Sequence, residues 1–190
     1  MGRELQILLL MLVTGALLGF FSARWAADHS VLSGAVRAGS WQAWPNAGVE
    51  DATPYARLRY YLDDALPPSP MDRLELLAEE DDEGNRLDTA CAYELKGPML
   101  PVRTWILGVH RLGEHAAATA ALHAEQAIYE PDGTLLIHLA PRPWPGNWLP
   151  MPRQGNGRVR LVLQLFGISP LERERILKRN PFAIHRKRCS

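Results

Sequence analysis

Hydrophobic and polar positions along this chain fall into three regimes. Residues 5–23 form an apolar run interrupted only by Gln6, Thr14 and Ser22, with no charge, and a run of that length crosses a bilayer as a helix. The second regime repeats at helical spacing: Thr53-Pro54 supplies an N-cap and a proline at the first helical position, and Tyr55, Leu58, Leu62 and Ala65 follow. Pro67-Pro68-Ser69-Pro70 ends that helix and forces an extended connection. From Asp72 onward the period drops to two, and short strands alternate with Gly, Pro and Asp turns.

Within this third regime, Leu87, Cys91, Tyr93 and Leu95 share one strand face, with Asp88, Ala90, Ala92 and Glu94 on the other. Residues 102–109 are apolar on both faces, as a central strand would be. Residues 124–129 and 134–140 flank Pro131-Asp132-Gly133, a hairpin signal. Residues 158–166 set Val159, Leu161, Leu163 and Leu165 against Arg158, Arg160 and Gln164. Upstream, Ser40 to Gly48 reads as a short strand followed by a turn. The alanine-rich stretch 113–122 reads as a short helix, and 170–179 as an amphipathic helix. Six or seven strands with few helices predict a mainly β domain, a sandwich or partly open barrel.

Length and charge refine the layout. After the apolar run, about 165 residues remain, enough for one domain with its own core. The expected organisation is an N-terminal flank (1–4), a transmembrane anchor (5–23), a tether (24–38), a β-sandwich (39–168) and a basic C-terminal tail (169–190). A cleaved signal peptide is the weaker reading, because the pairs Phe21/Ala23, Arg24/Ala26 and Trp25/Ala27 each put a large residue where cleavage needs a small one. Arg3 against Arg24 and Arg37 gives little charge bias; the expected topology keeps the N-terminus inside and the domain outside, the periplasm in a bacterium. From Glu172 onward, seven basic residues face two acidic ones, a net +5 that leaves −5 on the rest of a neutral chain. The basic end is expected to be a solvated terminus and the acidic 79–83 stretch a solvated hairpin turn. Of the two cysteines, Cys91 is expected in the core and Cys189 as a tail thiol, although an oxidising compartment would let them pair.

The most specific stretch is Gly146-Asn147-Trp148-Leu149-Pro150 with Pro152, preceded by an Asp132-Gly133 turn leading into a strand and followed by a strand of alternating leucines. With Trp41 to Gly48, Pro54-Tyr55 and the Trp105 strand, it resembles bacterial proteins carrying the domain of unknown function numbered 1214. The resemblance spans about residues 39–166 and fits the short, membrane-anchored form. It implies a jelly-roll-like β-sandwich with no settled activity, and a co-encoded partner carrying the related domain numbered 1254. Residues 168–190 depart from the family pattern.

Candidate chemistry is sparse. The prolines around Trp144 and Trp148 hold that segment extended and keep it from pairing as an inner strand. Its two indoles, with Arg142 and Asn147, would form an aromatic shelf for sugar rings or apolar ligands; Trp41 and Trp44 join it as a second loop. The competing reading makes Trp148 a plug at the end of the core. No phosphate-binding loop and no Gly-x-Ser-x-Gly elbow occurs among the seven serines. His110, His115 and His123 match no zinc spacing, so no metal or cofactor is expected. Asp88 and Glu94 sit roughly 20 Å apart along one strand, too far for a glycosidase pair. The enzymatic alternative is a jelly-roll-type hydrolase or isomerase using His138 or His123 with Glu125. With no basic stripe on the body, nucleic acid is not an expected partner. A non-catalytic binding or assembly module is the leading expectation, with the lipid bilayer as partner through residues 5–23.

Overall fold

The computed structural model describes residues 2–28, 34–62, 65–69, 73–112, 118–152 and 157–189. Helix α1 (Gly2–Asp28) carries the apolar run. It is long and apolar enough to cross a membrane, and none of its most hydrophobic window is buried against the protein. The remainder is mainly β. A six-stranded antiparallel sheet takes β1 (Val36–Ala38), β2 (Trp41–Ala43), β3 (Arg73–Ala78), β9 (Val159–Phe166), β5 (Thr104–Arg111) and β6 (Ala120–His123) in that spatial order. A four-stranded sheet takes β10 (Ala183–Cys189), β4 (Cys91–Pro98), β7 (Thr134–Ala140) and β8 (Asn147–Pro150). Short helices α2 (Pro54–Leu62) and α3 (Pro170–Lys178) complete the fold.

Alternation drives the two sheets together. Leu74, Leu76, Trp105, Leu107, Leu161, Leu163 and Leu165 of one sheet share a single buried cluster with Tyr93, Leu95, Ile137, Leu139 and Leu149 of the other. Each fully buried aliphatic side chain contributes about 1.5–3 kcal/mol relative to exposure. The layout is the expected two-sheet sandwich. A smaller cluster of Trp44, Ala47, Ala56, Tyr60 and Leu77 seats α2 on the far side of the six-stranded sheet, because Leu77 alternates with the core residues Leu76 and Ala78 and points outward. Trp44, expected on an open loop, is therefore buried beneath α2.

The C-terminal end corrects the expectation of a solvated tail. Helix α3 forms as its pattern predicts, capped by Ser169, whose hydroxyl accepts from the Glu172 amide. Residues 183–189 then pair with β4 as an edge strand, placing Cys189 opposite Cys91. The two cysteines form a disulfide across 98 residues: Cys91 lies in the core as expected, and Cys189 is bonded to it rather than being a tail thiol.

The acidic turn is likewise not simply solvated. The Asp81 side chain is completely buried; its carboxylate accepts from the Glu83 and Asn85 amides at 3.1 and 2.8 Å. Arg186 of β10 lies with Nε 3.1 Å from Asp81. That pair is ionic without being a well-aligned hydrogen bond, since the Nε–H meets no acceptor among the described residues. The Arg186 Nη2 donates instead to the Arg86 carbonyl at 3.0 Å. Next to it, Asp82 accepts from the Ile184 amide at 3.0 Å while its own amide donates to the Ile184 carbonyl at 3.0 Å. The acidic turn thus covers the edge of β10, and the two oppositely charged segments complete one structure.

Three smaller differences have local causes. Ala120 to His123 pair with β5 as strand β6, so the predicted helix over 113–122 gives way to an edge strand; residues 113–117 lie outside the described residues. Residues 124–129 open with a 3-10 turn, Ala124–Gln126, in place of a strand. Val36–Ala38, assigned to the tether, pairs with β2.

Candidate ligand-binding face

The connection from β7 to β8 creates the most distinctive surface. Parallel neighbours normally need a connection of a dozen or more residues, yet residues 141–146 bring β8 alongside β7 with Asn147 level with Ile137. The chain must therefore double back by three residues, roughly 10 Å. Pro141, Pro143 and Pro145 have no backbone N–H to donate to a ladder, and Gly146 takes the left-handed conformation, φ 81°, that the return into β8 requires. Doubling back lays the Trp144 ring over His138, with centroids 4.9 Å apart at 35°. Trp144 keeps 51% of its surface exposed. Trp148 is the register neighbour of His138 on β8, half-buried, its indole N–H donating to the Ala140 carbonyl at 3.0 Å. Its burial alternates with that of Leu149, which is the residue in the core, so Trp148 is not a core plug.

Asn147 anchors the shelf without facing a ligand. It is buried, and its side chain behaves like a short strand partner for Ile128. The carboxamide oxygen accepts from the Ile128 amide at 2.7 Å, and the nitrogen donates to the Ile128 and Leu136 carbonyls at 2.6 and 2.8 Å. All its directional capacity is spent on the backbone. Arg142 is exposed at the start of the loop. Trp41 is fully buried, donating from its indole N–H to the Phe182 carbonyl at 2.7 Å and packing edge-on against that ring. Of the six candidate binding residues, the structure brings Trp144 and Trp148 to His138 on one surface, sets Asn147 beneath it, leaves Arg142 exposed at the start of the loop, and places Trp41 and Trp44 in two separate buried clusters.

Sequence reasoning missed the neighbours across the sheet. Strand pairing aligns His185, Glu94, His138 and Trp148 in one row on the outer face of the four-stranded sheet. Glu94 is held by Lys187 at 3.0 Å. Beside the row runs a groove of about 510 Å³ lined by Glu94, Lys96, Glu130, Asp132, Thr134 and Leu136. At its rim, the backbone amide and hydroxyl of Thr134 hold the Asp132 carboxyl below the usual carboxylate range. The face thus joins an aromatic ledge to a groove with charges of both signs, a combination suited to orienting a polar ring or a short polar chain.

Of the residues named for the enzymatic alternative, the structure brings His123 and Glu125 near each other and leaves His138 apart. His123 and Glu125 are both exposed at the β6 end of the six-stranded sheet, whereas His138 stands on the other sheet beneath Trp144. A hydrogen bond from the Thr104 hydroxyl to Glu125 holds that carboxyl below its usual range. Among the described residues no three His, Cys, Asp or Glu side chains are placed to share a metal ion; His115 lies outside them. His110 on β5 is part-buried, and burial together with the Arg160 guanidinium lowers its pKa from 6.5. A lowered folded-state value means that the unfolded chain takes the proton first. Above pH 6.5 the residue is neutral in both states and contributes nothing to pH dependence; as pH falls through that value toward the folded pKa, stability is lost. Urea titrations at neutral and mildly acidic pH should therefore show a smaller acid-induced loss for His110→Gln than for the parent, and equal losses would rule out this residue as a contributor.

Comparison with known proteins bears on the fold. No curated protein matches the chain. The solved structure of an uncharacterised protein from Burkholderia cenocepacia is 22% identical, with a TM-score of 0.48, over 65% of this chain and 31% of its own. The VPA0106 protein from Vibrio parahaemolyticus is 16% identical, with a TM-score of 0.56, over 73% of this chain and 36% of its own. The chain thus spans about a third of the length of these solved structures, and the second shares its fold. The family model for Protein of unknown function (DUF1214) matches residues 72–170, from the start of β3 through the β7–β8 shelf to the start of α3, and with just over half of its length matched the protein belongs to that family.

Proposed function

We infer that this protein is a membrane-tethered binding or assembly module whose working surface is the outer face of the four-stranded sheet. The observation that carries the reading is Trp144, half exposed yet fixed over His138 by a rigid return loop. An aromatic ring presented at low conformational cost beside a polar groove is the usual equipment of a ligand platform. Residues 5–23 serve as the anchor and 24–38 lead into the domain. The disulfide between β4 and β10 favours an oxidising compartment, which supports a domain on the periplasmic side of a bacterial inner membrane. Successive strands that cross between the two sheets, as β3 to β4 and β4 to β5 do, are in keeping with a jelly-roll-like arrangement. A co-encoded protein with the domain numbered 1254 is the proposed assembly partner.

The test uses the full chain in nanodiscs, with tryptophan fluorescence followed during titration with N-acetylglucosamine oligomers, whose pyranose faces stack on indoles. The expected result is a saturable change that Trp144→Ala abolishes and Trp144→Phe retains in part. A titration without saturation, or one unchanged by Trp144→Ala, would remove the shelf as a glycan platform.

A further inference from the structure

Helix α2 is apolar on two opposite sides. One side, Ala56 and Tyr60, seals the small cluster on the six-stranded sheet. The other displays Tyr55 and Leu58, each 36% exposed, and Tyr61, 70% exposed, with Leu66 81% exposed just beyond the helix. A surface helix ordinarily turns charge toward water, and a helix apolar on both sides needs cover on both. The last turn of α1 packs against α2, and Ala26 is buried there. The apolar run ends at Ala23, so α2 lies within about 5 Å of the hydrocarbon edge along the helix axis, given a rise of 1.5 Å per residue. That distance falls inside the headgroup layer, which is about 5–8 Å deep on each side. Trp25, 59% exposed at the same level, is of the residue type that settles at a membrane interface, as tyrosine is.

We propose that the outer side of α2, through Tyr55, Leu58 and Tyr61 with Leu66 beside it, rests in the lipid headgroup layer and lays the domain flat on the membrane. This rests on the reading of α1 as a membrane anchor. The orientation that follows is specific: α2 covers the outside of the six-stranded sheet, whereas the Trp144 shelf lies on the outside of the other sheet, so the shelf faces away from the bilayer.

Spin labels attached at Tyr61→Cys, Leu58→Cys, Leu12→Cys and Lys96→Cys, one per variant with the native disulfide intact, test this in nanodiscs of phosphatidylethanolamine and phosphatidylglycerol. Collision with oxygen reports lipid, and collision with a water-soluble nickel chelate reports solvent. The expected result is an oxygen-to-nickel ratio at Tyr61 and Leu58 several-fold above that at Lys96, which lies on the opposite sheet, with Leu12 higher still. Labels at Tyr61 and Leu58 that match Lys96 while Leu12 remains in lipid would overturn the docking and leave the anchor standing. Exclusion of both reagents from the two sites would overturn it in favour of a protein partner. A solvent-accessible Leu12 would overturn the anchor and the docking together.

Discussion

Replacing Cys189 with serine is expected to lower the unfolding free energy by about 4.7 kcal/mol, the loop-entropy value for a bridge that closes nearly 100 residues. The bond spans 98 residues and joins the last strand to β4, so without it β10 relies on backbone pairing and its contacts to the acidic turn. Guanidinium titration of the full chain in detergent, followed by tryptophan fluorescence, measures the loss. Cys189→Ser and the reduced parent should share one midpoint, with Cys91→Ser lower still because it places a hydroxyl in the core. A parent whose midpoint does not move with reductant would mean that the bond contributes nothing to stability.

The second large effect is expected at Asp81. Removing one partner of a buried ion pair leaves the other uncompensated and typically costs about 3–5 kcal/mol; because Arg186 keeps 29% of its side chain exposed, the lower end is expected for Asp81→Ala. Asp81→Asn should lose less, since the amide oxygen still accepts from the turn amides. Arg186 also lies over the Tyr93 ring at 5.8 Å, and Tyr93 has its pKa raised, chiefly by burial. Loss of the carboxylate would therefore loosen a contact within the sandwich as well as the turn. The Asp81→Ala and Cys189→Ser effects should combine non-additively, because both act on β10 and neighbouring changes couple. A strictly additive double variant would show that the acidic turn and the disulfide hold separate parts of the fold.

These two sites mark where sequence reading ran short. Residues 5–23 announce themselves as a long apolar run, and β4 and β9 by buried positions filled with apolar residues at the right period, whereas the helical spacing that reveals α2 runs through Tyr55 and Leu58 on its exposed side, with Ala56 and Tyr60 buried instead. Strand β10 hides because beyond Ile184 it is held by the half-buried Arg186 and the exposed Cys189, through an ion pair, an aromatic face and a disulfide. Hydrophobic periodicity has nothing to register in such a strand. Alanine-rich β6 reads as helix because local propensity is a weak guide at an edge that tertiary pairing decides. The shelf was half legible: the proline-tryptophan stretch stands out, but the position of Trp144 depends on β8 pairing parallel to β7. Nor does anything local mark Trp41 as buried, since its partner Phe182 lies 141 positions away. His138 and Glu94 became neighbours only through register.

The placement of β10 also bears on how the molecule is made. Synthesis runs from the N-terminus, so the strand that completes the four-stranded sheet, and with it the Cys189 sulfur, follows the other described strands. Until residues 183–189 have been added, β4 lacks its β10 neighbour and Asp81 lacks Arg186. The four-stranded sheet can therefore close only after the other described strands have been made, and the disulfide that ties β10 to β4 can form only then.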